Sequence, residues 1–195
     1  MKKILWFDTE TTGLDPVKND IIQLAGLIEI DGKMVEEFDF KCAPFSCENI
    51  SQEALSIHGM TKEQILKFPM PEKIQCDFTE LLAKHCDKFN KADKFYPAGF
   101  NVKFDIDFLA QWFKKCGDNY LGSWINWRAL DPLPMLYMMD FKGELSLPNY
   151  KLETVAKHFG VDLFRVHDAI SDVRATRLLM NLLMQRPEVV NVNSN

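Results

Sequence analysis

The segment Ile21 to Ile30, followed by Asp31-Gly32 and then Met34 to Phe40, constrains the fold more than any other stretch. Two β-rich runs separated by Asp-Gly form a hairpin, because both turn residues tolerate the positive φ angles that a type I′ turn demands. The apolar run of residues 3–8, ending in an acid, supplies a third strand beside it. A chain that opens on three strands must then cover the sheet. The later segments alternate helical periodicity with short apolar runs, which predicts a mixed α/β sheet flanked by helices.

Helical signals follow in order. Ser51-Gln52-Glu53-Ala54-Leu55 and Thr61-Lys62-Glu63-Gln64 read as helix starts, the second with capping-box spacing. Ile74, Phe78, Leu81, Leu82 and His85 share one helical face. A short strand is expected near Phe95 to Phe100, then a helix over 105–115 carrying Phe108, Leu109, Trp112 and Phe113, and a further strand at Trp127–Leu130. The last helices are predicted at about 151–159, stopped by Gly160, and about 168–185, stopped before Pro187. Residues 1–186 therefore read as one domain and 187–195 as a frayed tail.

Composition narrows the function classes. The chain has 195 residues and is 47% hydrophobic, enough for one filled core. A formal net charge of −5 argues against a protein that coats duplex nucleic acid with a broad basic surface. It leaves room for an enzyme that grips one strand end. The N-terminal apolar run is too short for a signal peptide or a membrane span, so a cytoplasmic protein without membrane contact is expected. Cys42, Cys47, Cys76, Cys86 and Cys116 show no paired spacing and fit reduced, mostly buried thiols.

Three segments carry candidate chemistry. Asp8 and Glu10 leave a strand two residues apart, so both side chains point to one face about 6.5 Å apart and can address the same ion. Hard divalent cations such as Mg²⁺ or Mn²⁺ relieve the cost of such acids; a solvated strand end is the plainer alternative. Thr11-Thr12-Gly13 adds donors beside the acids. Asn101-Val102-Lys103-Phe104-Asp105 places a third acid where a strand turns into a helix, and Asp105 could equally be an N-cap. In His167-Asp168-Ala169-Ile170-Ser171-Asp172, His167 and Asp172 would lie ~140° apart on a helix, so His167 serves best just before it. Arg165, Arg174 and Arg177 flank this segment and are well placed to meet phosphate. Lys84, Lys88, Lys91 and Lys94 read as a solvated face. Asp131 and Asp140 bracket an apolar stretch, Met135, Leu136, Met138 and Met139, that reads as core packing, with Asp131 a candidate supporting group behind the site, and 141–150 reads as a loop near the site.

Together and in this order, the three segments resemble the exonuclease motifs of the DEDDh family, with particular likeness to the epsilon-type proofreading subunits of bacterial DNA polymerase III. Ile57-His58-Gly59-Met60-Thr61 resembles that family's His-Gly-Ile-Thr segment. The resemblance covers residues 3 to about 185. It implies a ribonuclease H-like α/β core, Asp8, Glu10, Asp105 and Asp172 as ligands of two divalent ions, Mg²⁺ or Mn²⁺, and His167 as general base. It further implies substrate contacts from Thr11, Ile57, His58, Asn101 and Phe104, and a single-stranded 3′ end as partner. The expected reaction is 3′–5′ hydrolysis of single-stranded DNA to nucleoside 5′-monophosphates, in the company of a DNA polymerase or alone. An exoribonuclease that trims RNA, or a non-catalytic nucleic-acid-binding module, are the alternatives.

Overall fold

The computed structural model describes residues 1–163 and 169–185. Strand β1 (Lys3–Thr11) lies between β2 (Ile21–Ile30) and β4 (Tyr96–Ala98), and β3 (Lys33–Lys41) forms the far edge, giving the order β3-β2-β1-β4. The first three strands are antiparallel; β4 runs parallel to β1. The predicted hairpin is present, and its turn residues take φ values of 48° at Asp31 and 82° at Gly32, both positive as a type I′ turn requires. Residues Ile21 to Glu29 of β2 are buried without interruption, the mark of a strand covered on both faces.

One face carries Leu5, Phe7, Leu24 and Ile28, which pack with Phe78 of α3 (Pro71–Ala83) and with Phe108 and Trp112 of α4 (Val102–Lys115). The other carries Trp6 and Leu27, packed on Val173 and Met180 of α8 (Ala169–Met184). Successive strand residues alternate between these layers, so each position on β1 faces either α4 or α8. A satellite cluster joins α6 (Pro132–Phe141), α7 (Leu152–Phe159) and α8 through Leu136, Val155 and Leu179. Leu145 and Leu147, from the predicted loop, fold into that cluster.

Short helices complete the chain. These are α1 (Gln52–His58), capped by Ser51, α2 (Lys62–Ile65), with the reciprocal Thr61–Gln64 capping box, and α5 (Leu121–Trp124). Three local expectations need correction. The strand expected at Trp127–Leu130 is reduced to one isolated bridge, Ala98 with Leu130, because only the end of that segment reaches the sheet edge; a second bridge, Phe95 with Ile125, precedes it. His85 lies beyond the end of α3, and its ring bonds Glu36 of β3 at 3.0 Å. Of the cysteines, Cys42 and Cys86 are buried, but Cys47 and Cys76 are exposed because each sits on a solvent-facing segment. The tail beyond Gln185 lies outside the described residues.

Candidate active site

The site forms where β1 leaves the sheet. Trp6 faces α8, so strand alternation puts Asp8 and Glu10 on the α8 side and Thr9 on the α4 side. A bulge between Glu10 and Thr11 then redirects the chain. On the α4 side, Asp105 Oδ1 accepts hydrogen bonds from the Thr9 amide at 2.9 Å and the Thr9 hydroxyl at 2.7 Å. Helix and strand are thereby pinned at the residue between the two acids.

Asp105 is not the helix cap. Helix α4 starts three residues earlier, after Asn101, whose left-handed φ of 57° turns the chain without any side-chain cap bond. The freed amides of Asn101 and Val102 donate to the Asp131 carboxylate at 3.2 and 3.1 Å. Asp131 also caps α6 through the Leu133 amide, so it orients the starts of two helices. Gly99 allows this tight entry: a Cβ there would stand 2.7 Å from the Phe7 carbonyl oxygen.

Burial pushes the Asp8 carboxyl well above the ordinary carboxylate range, and the charges of Asp105, Glu10 and Asp172 push it further. Burial also raises Asp105 to about 7, against the opposing pull of the Thr9 bonds. Acids from β1, α4 and the first turn of α8 thus all act on Asp8 at the strand end. Among the described residues no three His, Cys, Asp or Glu side chains already form a closed ion-binding group. The donor set nevertheless fits hard divalent cations: it is all carboxylate oxygen, and its mutual repulsion is the term that a cation would cancel.

Beside the acids runs a groove of about 470 Å³, into which Glu10, Thr11, Ile57, His58 and Phe104 all open. Four of the five predicted substrate contacts therefore meet in one place. Their roles differ from a simple reading. The Thr11 hydroxyl donates to the Gly13 carbonyl at 2.7 Å and so shapes the loop. His58 Nδ1 accepts from the Met60 amide at 3.2 Å, which puts the proton of the neutral ring on Nε2. That Nε2 is buried with no hydrogen-bond partner, and burial lowers the basicity of the ring. Ile57 is 48% exposed on the groove wall. Asn101 is absent from the groove lining.

His167, with Arg165, lies outside the described residues. Arg174 and Arg177, expected to be placed to meet phosphate, are engaged with the sheet: Arg174 grips Glu37 of β3 through two 2.7 Å bonds, and Arg177 pairs with the buried Glu29 of β2. Local sequence hides partners more than a hundred residues away. Thr9 is the position that sequence reasoning missed, whereas Asp131, expected as a supporting group, does support the start of α4. For Thr9 the signal was a hydroxyl between two acids, facing the opposite layer.

The chain matches the family model described as Exonuclease over residues 5–180. Among curated relatives, the PolC-type DNA polymerase III of Thermotoga maritima is 30% identical over 171 residues, covering 87% of this chain and 11% of that protein. That of Oceanobacillus iheyensis is 27% identical over 187 residues, covering 92% and 11%. The chain therefore spans about a tenth of the length of these relatives. Crystal structures of E. coli Exonuclease I share the fold. A complex with a dT13 oligonucleotide superposes with a TM-score of 0.77 at 22% identity, covering 95% of this chain and 42% of that one, and a zinc-bound complex with single-stranded DNA gives 0.77 at 19%, covering 96% and 42%. The architecture is ribonuclease H-like, as the motifs implied. On the match of the family model across nearly all of its length, the chain belongs to the exonuclease family.

Proposed function

We propose that residues 1–186 form a 3′–5′ exonuclease domain that hydrolyses single-stranded DNA to nucleoside 5′-monophosphates. The observation that carries this reading is the convergence of Asp105, Glu10 and Asp172 on the half-buried Asp8 carboxyl. Asp8, Glu10, Asp105 and Asp172 would hold two divalent ions, Mg²⁺ or Mn²⁺. Such ions supply positive charge to the attacking and leaving oxygens of an in-line phosphodiester displacement. Thr9 keeps Asp105 turned toward β1, so the acids from two layers stay within reach of one another. His167 takes the proton of the attacking water, a task suited to a side chain that titrates near neutrality.

The groove beside the acids, about 470 Å³ and lined by residues of the loop after β1, by Ile57 and His58 of α1 and by Phe104, is the place proposed for the end of a single strand. His58 and Ile57 supply part of the wall against which the terminal nucleotide would rest, and Phe104 an aromatic surface for a base. The DNA preference and a partnership with a polymerase draw on the PolC-type relatives and the oligonucleotide bound to Exonuclease I. Among the described residues no helix is long and apolar enough to cross a membrane, and a cytoplasmic site of action fits that reading.

Release of 5′-monophosphates from matched DNA and RNA strands, with and without chelator, tests the proposal. Activity is expected on DNA with Mg²⁺ and none with chelator. Activity that survives chelation would sink the metal reading, and a large preference for RNA would replace the substrate.

A further inference from the structure

Helix α4 grips the site region at both of its ends. Its first turn holds Thr9 through Asp105, and its last residue, Lys115, reaches the connection between β1 and β2. There Lys115 Nζ donates to Asp20 Oδ1 at 2.7 Å and to the Asn19 carbonyl at 2.8 Å, and lies over the Phe45 ring. The Asp20 side chain is only 2% exposed and that of Lys115 24%. An ion pair this dry is costly to hold unless its geometry is closed, so its place in the fold is informative.

Asp20 is the centre of a small buckle. Its amide donates to Thr12 Oγ1 at 2.9 Å, its carbonyl accepts from the Thr12 amide at 2.9 Å, and its Oδ2 accepts from the Ser46 amide at 3.3 Å. Thr12 is fully buried, and its carbonyl accepts from the Ser51 amide at 2.8 Å, directly at the cap of α1. Asn19 closes the other side: its side chain accepts from the Asp15 amide at 3.0 Å, donates to the Asn49 carbonyl at 2.7 Å, and packs on Gly13, where a Cβ would meet it at 2.6 Å. The two walls of the groove, the 11–19 loop and α1 with Ile57 and His58, are therefore joined through Thr12, Asn19 and Asp20. None of these links touches the four acids.

We infer that the Lys115–Asp20 pair is a positioning device that sets the spacing of the groove walls, and through it the hold on the terminal nucleotide of the strand, independently of the chemistry. The inference rests on the exonuclease reading. Asp20→Asn keeps the shape of the side chain and removes its charge; Lys115→Met removes the partner; Lys115→Arg keeps it. Lys3→Met serves as control, since it breaks another internal ion pair, with Asp93, at the opposite end of β1.

Mononucleotide release by each variant, together with the anisotropy of a 5′-labelled oligothymidylate, separates the possibilities. Asp20→Asn and Lys115→Met are expected to raise KM and Kd about 10-fold with kcat little changed, as a small displacement of positioning groups would. Lys115→Arg should restore both, and Lys3→Met should lose stability without moving either. Should Lys115→Met fail to fold, the isosteric Asp20→Asn alone decides. Unmoved KM and Kd in folded Asp20→Asn, or an equal rise in Lys3→Met, would overturn the clamp while leaving the exonuclease intact. The expected order of Kd values in a protein that releases no mononucleotide would overturn the catalytic reading and leave the clamp. A wild-type protein that does not bind the strand would overturn both.

Discussion

The two ends of strand β1 handle buried charge in opposite ways. At one end Lys3, 9% exposed, donates to the Asp93 carboxylate and to the His85 carbonyl, and Asp93, bonded by the Asp87 amide and by Lys3, is held below the ordinary carboxylate range. Five residues on, Asp8 meets burial and three more acids, and its carboxyl is driven up. Among the described residues the groups that act on the Asp8 carboxyl all raise it, which is the setting that a bound cation would relieve. The sharpest test exchanges the two ends. Asp8→Ala should reduce mononucleotide release about 10⁴-fold while the protein stays folded, as removal of a group central to the chemistry does. Lys3→Met should leave release intact and cost about 1–2 kcal/mol in urea unfolding, because it removes the cation from a partly buried Asp93 that keeps its Asp87 amide bond. Equal loss of activity in both would erase the contrast.

The same contrast has a pH signature. Asp105 is raised to about 7 and Asp8 is raised with it, so the folded state holds protons that the unfolded chain has already released. Their contribution to stability is present below the unfolded value of 3.8 and is lost as pH rises toward about 7. Each such proton gives a slope of at most about 1.4 kcal/mol per pH unit. Asp93, with its lowered value, contributes in the reverse sense: its stabilisation is present above the ordinary carboxylate value and is lost as pH falls through the lowered one. Chelated protein should therefore lose urea resistance between about pH 4 and 7, and Mg²⁺ should abolish the fall. Asp105→Asn should flatten it; a profile that rises through this window in wild-type protein would refute the assignment.

How much of this was legible beforehand follows from the range of the interactions. The hairpin could be read because Asp31 and Gly32 specify their own turn, and Asp8 and Glu10 because strand alternation alone puts them on one face. Asp105 could be placed only near the site. Its plainest local role was to cap a helix, whereas α4 begins at Val102 and is supported by Asp131, whose bonds span about thirty residues. The arginines of α8 looked like phosphate ligands for the same reason: Glu29 and Glu37 lie on strands 148 and 137 residues away in sequence. Local pattern reveals which residue types converge, and tertiary pairing decides which remain available.

A smaller effect tests how tightly the acid-bearing end is built. Gly99→Ala would put a methyl group 2.7 Å from the Phe7 carbonyl oxygen, next to Asp8, and should cost about 1–3 kcal/mol in urea unfolding with some loss of activity. Gly32→Ala in the hairpin turn meets no atom within 4 Å, so its penalty comes from the positive φ alone. Steric and conformational costs are thereby separated: shift of the β1 end should follow Gly99→Ala and be absent from Gly32→Ala. If both variants lose activity alike, crowding at Phe7 is not what positions Asp8.

The smallest effect concerns Arg174. Its ion pair with Glu37 is half-exposed, with side chains 54% and 38% accessible, so Arg174→Met should change stability by only about 0.5 kcal/mol. It should also leave KM and the salt dependence of strand binding unchanged, since the guanidinium is committed to β3. A phosphate ligand would behave differently: its loss would weaken binding and flatten the salt dependence by about one counterion. Measuring KM at two ionic strengths therefore separates an arginine that braces α8 against the sheet edge from one that exchanges Glu37 for the substrate backbone when the strand arrives.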